Sequence, residues 1–361
     1  MSTLTIIDGS GLFSRHYMAK EREFPDIYQE KDLAKKNELC QRLMKQTNGV
    51  YTEVLGDVLK KILSIQKAYN SEYFVVLFDK SSQTTFRKKQ YPAYKATRTP
   101  KTEAFKQQII SLKTILDHIG VSCFWSDDFE ADDLAGSLIK HFKGDVDQVY
   151  FVTADHDWLQ LVGGNVIGIL YQSTDERAAK LRNDYKGICP MNDPMNDWYG
   201  TERPLRRTVA FNSMVTAVDY GVYPHQVPDL KALEGDTSDN IPGVKGIGHE
   251  TAVALLKCFS SVDAIYAAID GCMDEVDAID LEQRIKSFGV KRSPIKALIN
   301  GRQNAMLSKS LATIYTDIPI GFSIERLQYQ LKEDQLEVAI NWYDLPECRR
   351  FLSNKTETRS L

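Results

Sequence analysis

No stretch of the sequence is apolar for long enough to cross a bilayer, which takes about 20 such residues in a helix. The first residues, Met-Ser-Thr-Leu-Thr-Ile-Ile-Asp, lack the basic start and the cleavage site of a secretory leader and read instead as a strand. Cysteine is sparse: six residues, at 40, 123, 189, 258, 272 and 348, with no Cys-x-x-Cys pair. That spacing excludes the common zinc and redox motifs and points to a reduced, intracellular protein of the cytoplasm. Excess positive charge is also missing, since the formal net charge is −4 over 361 residues. Averaged over the chain, this argues against a nucleic-acid partner. The charges are segregated, however. Residues 80 to 101 hold seven Lys or Arg and no acid, and residues 289 to 309 hold five and no acid. Basic stretches set apart from an acidic cluster suit a phosphate polymer held against a metal centre. For either stretch alone, a solvated face is the plain alternative.

The acidic cluster is Asp127-Asp128-Phe129-Glu130-Ala131-Asp132-Asp133, five acids in seven residues ahead of an apolar helical run. Acids at a helix start suit the positive end of the helix dipole. Glu130 and Asp133 are also three apart, so they share a helix face, with Asp132 beside them. Carboxylates this close repel unless a cation sits between them, and a hard divalent ion held by oxygen ligands answers that need.

Runs such as Leu4-Thr5-Ile6-Ile7, Tyr73 to Phe78, Val121 to Trp125, Gln148 to Val152 and Val166 to Tyr171 read as strands. Residues 50 to 69 and 104 to 118 read as helices. The alternation predicts an α/β fold with a mostly parallel central sheet and helices on both faces. Three strands end in an acid: Asp8, Asp79, and Asp155 with Asp157. Sites in such folds form beyond the carboxyl ends of the strands, so these acids and Glu130 converge on one edge. Two charged excursions, at about 20 to 47 (between the first strand and its helix) and 174 to 207, interrupt the pattern. From about 208 the chain reads as all-α with no further strand, and 353 to 361 reads as a polar tail.

A second constellation runs from Glu234 to Gly248. Asp236 and Asp239 are three apart, and Pro242, Gly243, Gly246 and Gly248 then force a turn before a helix that starts at His249. Glycines at a helix start expose N–H groups that can hold a phosphate. The basic stretch Phe86-Arg87-Lys88-Lys89-Gln90-Tyr91-Pro92-Ala93-Tyr94-Lys95-Ala96-Thr97-Arg98 interleaves aromatics with cations, a pattern that binds strand and base together.

Together these stretches resemble the 5′-nuclease family, the phage flap endonucleases and the 5′→3′ exonuclease domain of bacterial DNA polymerase I. The motifs that carry the likeness are Ile7-Asp8-Gly9-Ser10, Phe78-Asp79 with Thr85-Phe86-Arg87 and Tyr91-Pro92-x-Tyr94-Lys95-x-x-Arg98, Glu130-Ala131-Asp132-Asp133, Asp155-x-Asp157-x-x-Gln160-Leu161, and Gly235 to Gly248. The resemblance implies a PIN-like nuclease core over 1–207 with a helical arch at about 80–110. A helical region over 208–352 would carry a helix–three-turn–helix at about 230–260. With no polymerase segment following, it looks like a stand-alone member of the phage type. It further implies that Asp8, Asp79, Glu130, Asp132, Asp133, Asp155, Asp157, Asp236 and Asp239 hold two Mg²⁺ or Mn²⁺ ions. Lys95, Arg98, Asp133 and Asp155 would serve catalysis. Arg15, Arg87, Tyr91, Tyr94, Lys95, Arg98, Gly243, Lys245, Gly246 and Gly248 would meet DNA. The backbone of Ile241, Val244 and Ile247 would hold K⁺. One departure is His156, where the family often has Lys.

The expected substrate is branched or nicked DNA, or an RNA–DNA hybrid, with a free 5′ end, cut by a monomer to give 5′-phosphate products. Replication proteins, such as a single-strand-binding protein or a polymerase, are the expected partners. The competing reading is a DNA-junction-binding protein without catalysis. A haloacid-dehalogenase phosphatase is disfavoured because Asp8 is followed by Gly9 and Ser10 rather than by Asp-x-Asp.

Overall fold

The structure, a computed structural model, describes residues 1–80, 84–193 and 205–353. The chain starts with β1 (Thr3–Asp8), α1 (Gly9–Glu21), α2 (Pro25–Gln29) and α3 (Leu33–Leu43). A two-stranded hairpin of β2 (Gln46–Thr47) and β3 (Val50–Tyr51) leads into α4 (Leu55–Tyr69) and β4 (Tyr73–Leu77). Next come α5 (Phe86–Gln90), α6 (Glu103–His118), β5 (Ser122–Phe124), α7 (Ala131–Phe142), β6 (Gln148–Thr153) and β7 (Val166–Tyr171).

The main sheet has the order β5-β4-β1-β6-β7-β8, in which every pair is parallel except the last. All six residues of β1 are buried, as a central strand covered on both sides requires. The chain moves outward from β1 through β4 to β5, then crosses back to β6 on the other side of β1. Crossovers of this kind are right-handed, so α4 and α6 lie on one face and α7 on the other. The reversal opens a crevice beyond the carboxyl ends of β4, β1 and β6, and Asp79, Asp8 and Asp155 stand there.

The sequence reading differs from the structure in three places. Thr208–Phe211 is not helical: it is β8, an antiparallel edge strand on β7, and all four of its residues are buried. Four residues after a charged stretch give little local signal, and the pairing with β7 supplies what the sequence does not. The excursion at 20–47 does not separate the first strand from its helix, because α1 follows β1 directly. Asp8 caps that helix, accepting the Gly11 N–H at 2.7 Å, and its mixed composition hid its period. The excursion at 174–207 includes α8 (Asp175–Tyr185), a helix capped by Thr174, and the rest of it falls partly outside the described residues. So do the tail beyond Ser353 and positions 81–83 of the expected arch.

After β8 the described chain is helical: α9 (Ser213–Tyr220), α10 (Val227–Glu234), α11 (His249–Phe259), α12 (Val262–Asp270), α13 (Glu275–Ser287), α14 (Ile295–Ala312) and α15 (Glu333–Tyr343). Helix α11 buries Ala252, Leu255, Leu256 and Phe259, the face expected from its period. Among the described residues no single helix is long and apolar enough to cross a membrane.

Candidate metal centre and nucleic-acid interface

Asp8 is buried at the tip of β1. The Gly11 N–H and the Thr153 hydroxyl, each at 2.7 Å, hold one oxygen apiece. Thr153 also accepts the Asp155 N–H at 2.9 Å, so one hydroxyl ties the ends of β1 and β6 together. Burial first, and then the neighbouring Asp79, push the Asp8 carboxyl up to about 6. Asp155 reaches solvent, but the protein massed around it limits its hydration. That effect, followed by Asp157 and Asp8, raises its carboxyl to about 7. Asp79 is exposed and accepts the Ala131 N–H at 2.9 Å, which joins the end of β4 to the start of α7.

The start of α7 forms a capping box. Glu130 is the N-cap residue, and Asp133 three positions later accepts its N–H at 3.1 Å. Oxygens of Glu130, Asp132 and Asp133 lie within 4.8 Å of one another. Both readings of the acidic cluster, cap and cation site, therefore apply to the same residues. Burial, and then Asp133 and Glu130 against the pull of Arg87, drive the Asp132 carboxyl far above its ordinary range. Glu130 goes the other way. Burial opposes its charge, but Lys95 and Arg87 outweigh that and hold it below the usual value.

Arg87 is 1% exposed, and all five of its N–H groups are committed. Nε donates to the Leu311 carbonyl, Nη1 to Glu130 and Asp133, and Nη2 to Asp133 and the Thr313 carbonyl. Asp133 is just as saturated, since the Tyr315 and Glu130 N–H groups take its remaining lone pairs. One correction follows: Arg87, buried with every donor committed, does not face a DNA strand, while Asp133 both pairs with Arg87 and belongs to the group of carboxylates close enough to share an ion. Tyr94 is corrected likewise: it is buried, and its hydroxyl donates to Glu130 at 2.9 Å and Asp239 at 3.3 Å. Tyr91 is half-buried against a small cluster with Ile241 and Leu311.

Two lysines bridge the remaining acids. Lys95 Nζ lies 2.5 Å from Glu130 and 3.5 Å from Asp239. Arg98, still half exposed, meets Asp239 at 2.6 Å. Lys231 joins Asp157, at 2.7 Å, to Asp236. The structure thus gathers all nine predicted acids into one field, threaded by Arg87, Lys95 and Lys231. Thr153 and Lys231 escaped sequence reasoning, because neither lies in a motif and only folding brings them to the acids. His156 meets the Tyr220 hydroxyl through Nδ1, and burial lowers its basicity, so it does not stand in for a lysine.

The loop between α10 and α11 is shaped by positive φ at Gly235, Asn240, Gly243 and Gly246. At Gly243 a Cβ would fall 2.4 Å from the Gly235 nitrogen, so two backbone strands meet there as only glycine allows. Gly243 is buried and its N–H donates to Ser308 at 2.9 Å, which corrects its assignment to DNA. Lys245, Gly246 and Gly248 are exposed. The carbonyls of Ile241 and Val244 accept the Asp236 and Ile247 N–H groups, and each keeps a second lone pair. The Asn240 side chain donates to the Ala93 carbonyl, and the Lys95 N–H to the Asp239 carbonyl, so this loop is latched to the basic stretch. Arg15 is not among the acids; it donates to the Gln172 carbonyl at 2.7 Å.

A family model for the 5′–3′ exonuclease N-terminal, resolvase-like domain matches residues 3–186, and one for the 5′–3′ exonuclease C-terminal SAM fold matches 222–335. The chain belongs to the 5′–3′ exonuclease family. As a 5′–3′ exonuclease family member it is similar to a Buchnera aphidicola protein named 5′-3′ exonuclease, with 32% identity over 80% of this chain and 86% of that one. It is also similar to DNA polymerase I of Bacillus subtilis (30% identical, 93% of this chain) and of Caldicellulosiruptor bescii (31%, 78%). The chain spans less than a third of those polymerases, 30% and 28% of their lengths. In fold it resembles the T5 5′-exonuclease, whose structure carries divalent zinc ions, with a TM-score of 0.56 at 21% identity over 93% of this chain and 99% of that one.

Proposed function

We propose that the chain is a structure-specific, divalent-metal-dependent 5′ nuclease that hydrolyses phosphodiesters near a single-strand–duplex junction and leaves 5′-phosphate ends. The observation that carries this reading is the carboxylate field at the ends of three adjacent parallel strands, against a latched basic stretch. Asp8, Asp79, Glu130, Asp132, Asp155 and Asp157 fit the group, because hard oxygen donors in excess of the local cations are what Mg²⁺ or Mn²⁺ requires. Two such ions, when bound, stabilise the attacking and leaving oxygens of a phosphodiester.

The residues around them have separable tasks. Thr153 fixes the Asp8 oxygens, and the Arg87–Asp133 pair fixes Glu130. Lys95 and Arg98 supply positive charge beside the acids, where charge develops on a reacting phosphate. Lys245, Gly246 and Gly248, exposed on the α10–α11 loop, would hold duplex phosphates without reading sequence, with K⁺ at the free carbonyl lone pairs. The test is a 5′-labelled flap duplex with Mg²⁺ or EDTA, beside Asp155→Asn. Short labelled products with Mg²⁺ only, lost in the variant, support the reading. Tight junction binding without cleavage in Mg²⁺ or Mn²⁺ replaces it with the binding-protein reading.

A further inference from the structure

The tyrosines of the basic stretch lie inward in this fold, Tyr94 buried and Tyr91 packed against Ile241 and Leu311. Another ring stands open beside the acids. Trp125 follows β5, the edge strand of the sheet, and is 47% exposed. Leu77 and Phe124 are partners in the β4–β5 register, and the Phe78 N–H donates to the Phe124 carbonyl at 2.9 Å, so the pairing continues one step further. Trp125 therefore lies beside Phe78, with its backbone about 6 Å from that of Asp79. Lys113 of α6 fixes the indole. Its ammonium lies 4.8 Å from the Trp125 ring centroid and 4.9 Å from that of Phe78. Phe78 is fully buried, so the lysine is anchored on one side and carries the indole on the other. Burial opposes the Lys113 charge, and Asp79 supports it. Lys113 makes no hydrogen bond or ion pair among the described residues. The acids that follow Trp125 are already neutralised, Asp127 by Lys80 at 2.7 Å and Asp128 by Lys89 at 2.8 Å.

We propose that Trp125 and Lys113 form a nucleotide subsite at the Asp79 edge of the crevice, in which the indole stacks on one base of the bound strand and the ammonium meets that nucleotide's phosphate. Lys113 covers one face of the indole, and no other ring stacks on Trp125 among the described residues. Every base has a π-face, so such a contact holds a strand without reading its sequence. A base contact also suits the place. Carboxylates repel a phosphate backbone but not a neutral base, so stacking holds the strand where charge alone opposes it. The three N–H donors of Lys113 reach a phosphate oxygen without breaking an ion pair of the described chain. At about 3.4 Å per stacked step, the base belongs to a nucleotide within about three of the scissile phosphate. The subsite thereby sets the register of the strand across the acids. This rests on the nuclease reading for its ligand.

The test places single abasic sites, which remove a base and keep its phosphates, at each position within five nucleotides of the junction of a flap duplex. Binding to the full chain is followed in EDTA. For the wild type, about a tenfold loss is expected at one position. Trp125→Ala is expected to lose about tenfold on the intact duplex and nothing more at that position, while every other position behaves as in the wild type. Trp125→Phe keeps a stacking ring and should retain most of the affinity. Lys113→Met keeps the packing on Phe78 and should flatten the log–log salt dependence by about one, which Trp125→Ala should not do. Trp125 is exposed at the sheet edge, so both of its variants should melt with the wild type, and lost binding cannot then be put down to unfolding. Unchanged affinity in Trp125→Ala, or the same abasic loss at the same position in Trp125→Ala as in the wild type, overturns the proposal. A salt dependence unchanged in Lys113→Met overturns the phosphate half of it. Cleavage in Mg²⁺ is scored separately. A chain that shows the Trp125-dependent abasic effect without cutting fails the nuclease reading alone, and a cutting chain with no Trp125 effect fails the subsite alone.

Discussion

Arg87 and Asp133 form a buried two-point ion pair, Nη1 to Oδ2 at 2.6 Å and Nη2 to Oδ1 at 2.7 Å, with side chains 1% and 0% exposed. The pair joins the basic stretch to the start of α7, and through the Leu311 and Thr313 carbonyls it also ties in the end of α14. Three parts of the chain far apart in sequence are thus fixed behind Glu130. Removing one member leaves the other charge buried. Arg87→Met is expected to cost about 3–5 kcal/mol in urea unfolding. Arg87→Lys should recover little, because one ammonium cannot replace five N–H bonds in three directions. A stable Arg87→Met protein that has lost its affinity for flap DNA would instead make Arg87 a DNA contact.

The acids of the metal centre set a pH dependence that is open to measurement without metal. Asp8 titrates near 3.8 when unfolded and at about 6 in the fold, so between those values the folded state holds the extra proton. Stability from this group is present at low pH and declines as pH rises through about 6. His16 and His156, kept neutral by burial, act in the opposite sense below their ordinary value, so the contribution must be isolated. In EDTA, Asp8→Asn should gain on the wild type as pH rises from about 4 to above 6, by at most about 3 kcal/mol, most of it before pH 6 is passed. Mg²⁺ should reverse the order, since the charged carboxylate binds it far more tightly than the neutral amide oxygen does. A difference that does not change with pH would show that Asp8 is not crowded by Asp79 in solution.

Most of the fold was legible because its signals are local. The five parallel strands are continuous apolar runs, and three of them end in the acids that mark the crevice. Strand β8 was not legible, because Thr208–Phe211 becomes a strand only through its pairing with β7. The acids were readable from motif and spacing, but the direction of side chains was not. Arg87 and Tyr94 lie in a stretch whose composition suits DNA, yet they turn inward to the acids, because uncompensated carboxylates at the end of the sheet need the nearest cation and donor. Lys231 and Thr153 carry no signal of their own in sequence.

Lys231 offers a direct view of the competition between protein cations and metal. It lies between Asp157 and Asp236 and is largely buried, and although burial opposes its charge, Asp157 and Asp236 raise the ammonium well above its ordinary range. Lys231→Met leaves two carboxylates facing each other. The metal-free protein is expected to lose about 2 kcal/mol. Mg²⁺ should restore most of that loss, and its stabilising effect in thermal unfolding should be larger than in the wild type. Equal Mg²⁺ stabilisation of the two proteins would place the bound ion away from Asp157 and Asp236.

Gly11 tests whether the position of Asp8, rather than its presence, limits the chemistry. A Cβ on Gly11 would fall 2.2 Å from Asp8 Oδ2, while the Gly11 N–H holds Oδ1. Gly11 lies in the first turn of α1, in backbone that any residue adopts, so alanine there brings no conformational strain of its own. Gly11→Ala must therefore push the carboxylate aside while leaving the helix able to form. A shift on the order of 1 Å at a positioned group costs about 100-fold. The expected result is a drop of about that size in kcat on a flap substrate, with flap affinity in EDTA and melting temperature close to the wild type. Gly11→Ser should behave like alanine, since the clash comes from Cβ itself. Full activity in both variants would mean that Asp8 has room to move and that its place at the end of β1 is not what sets the rate.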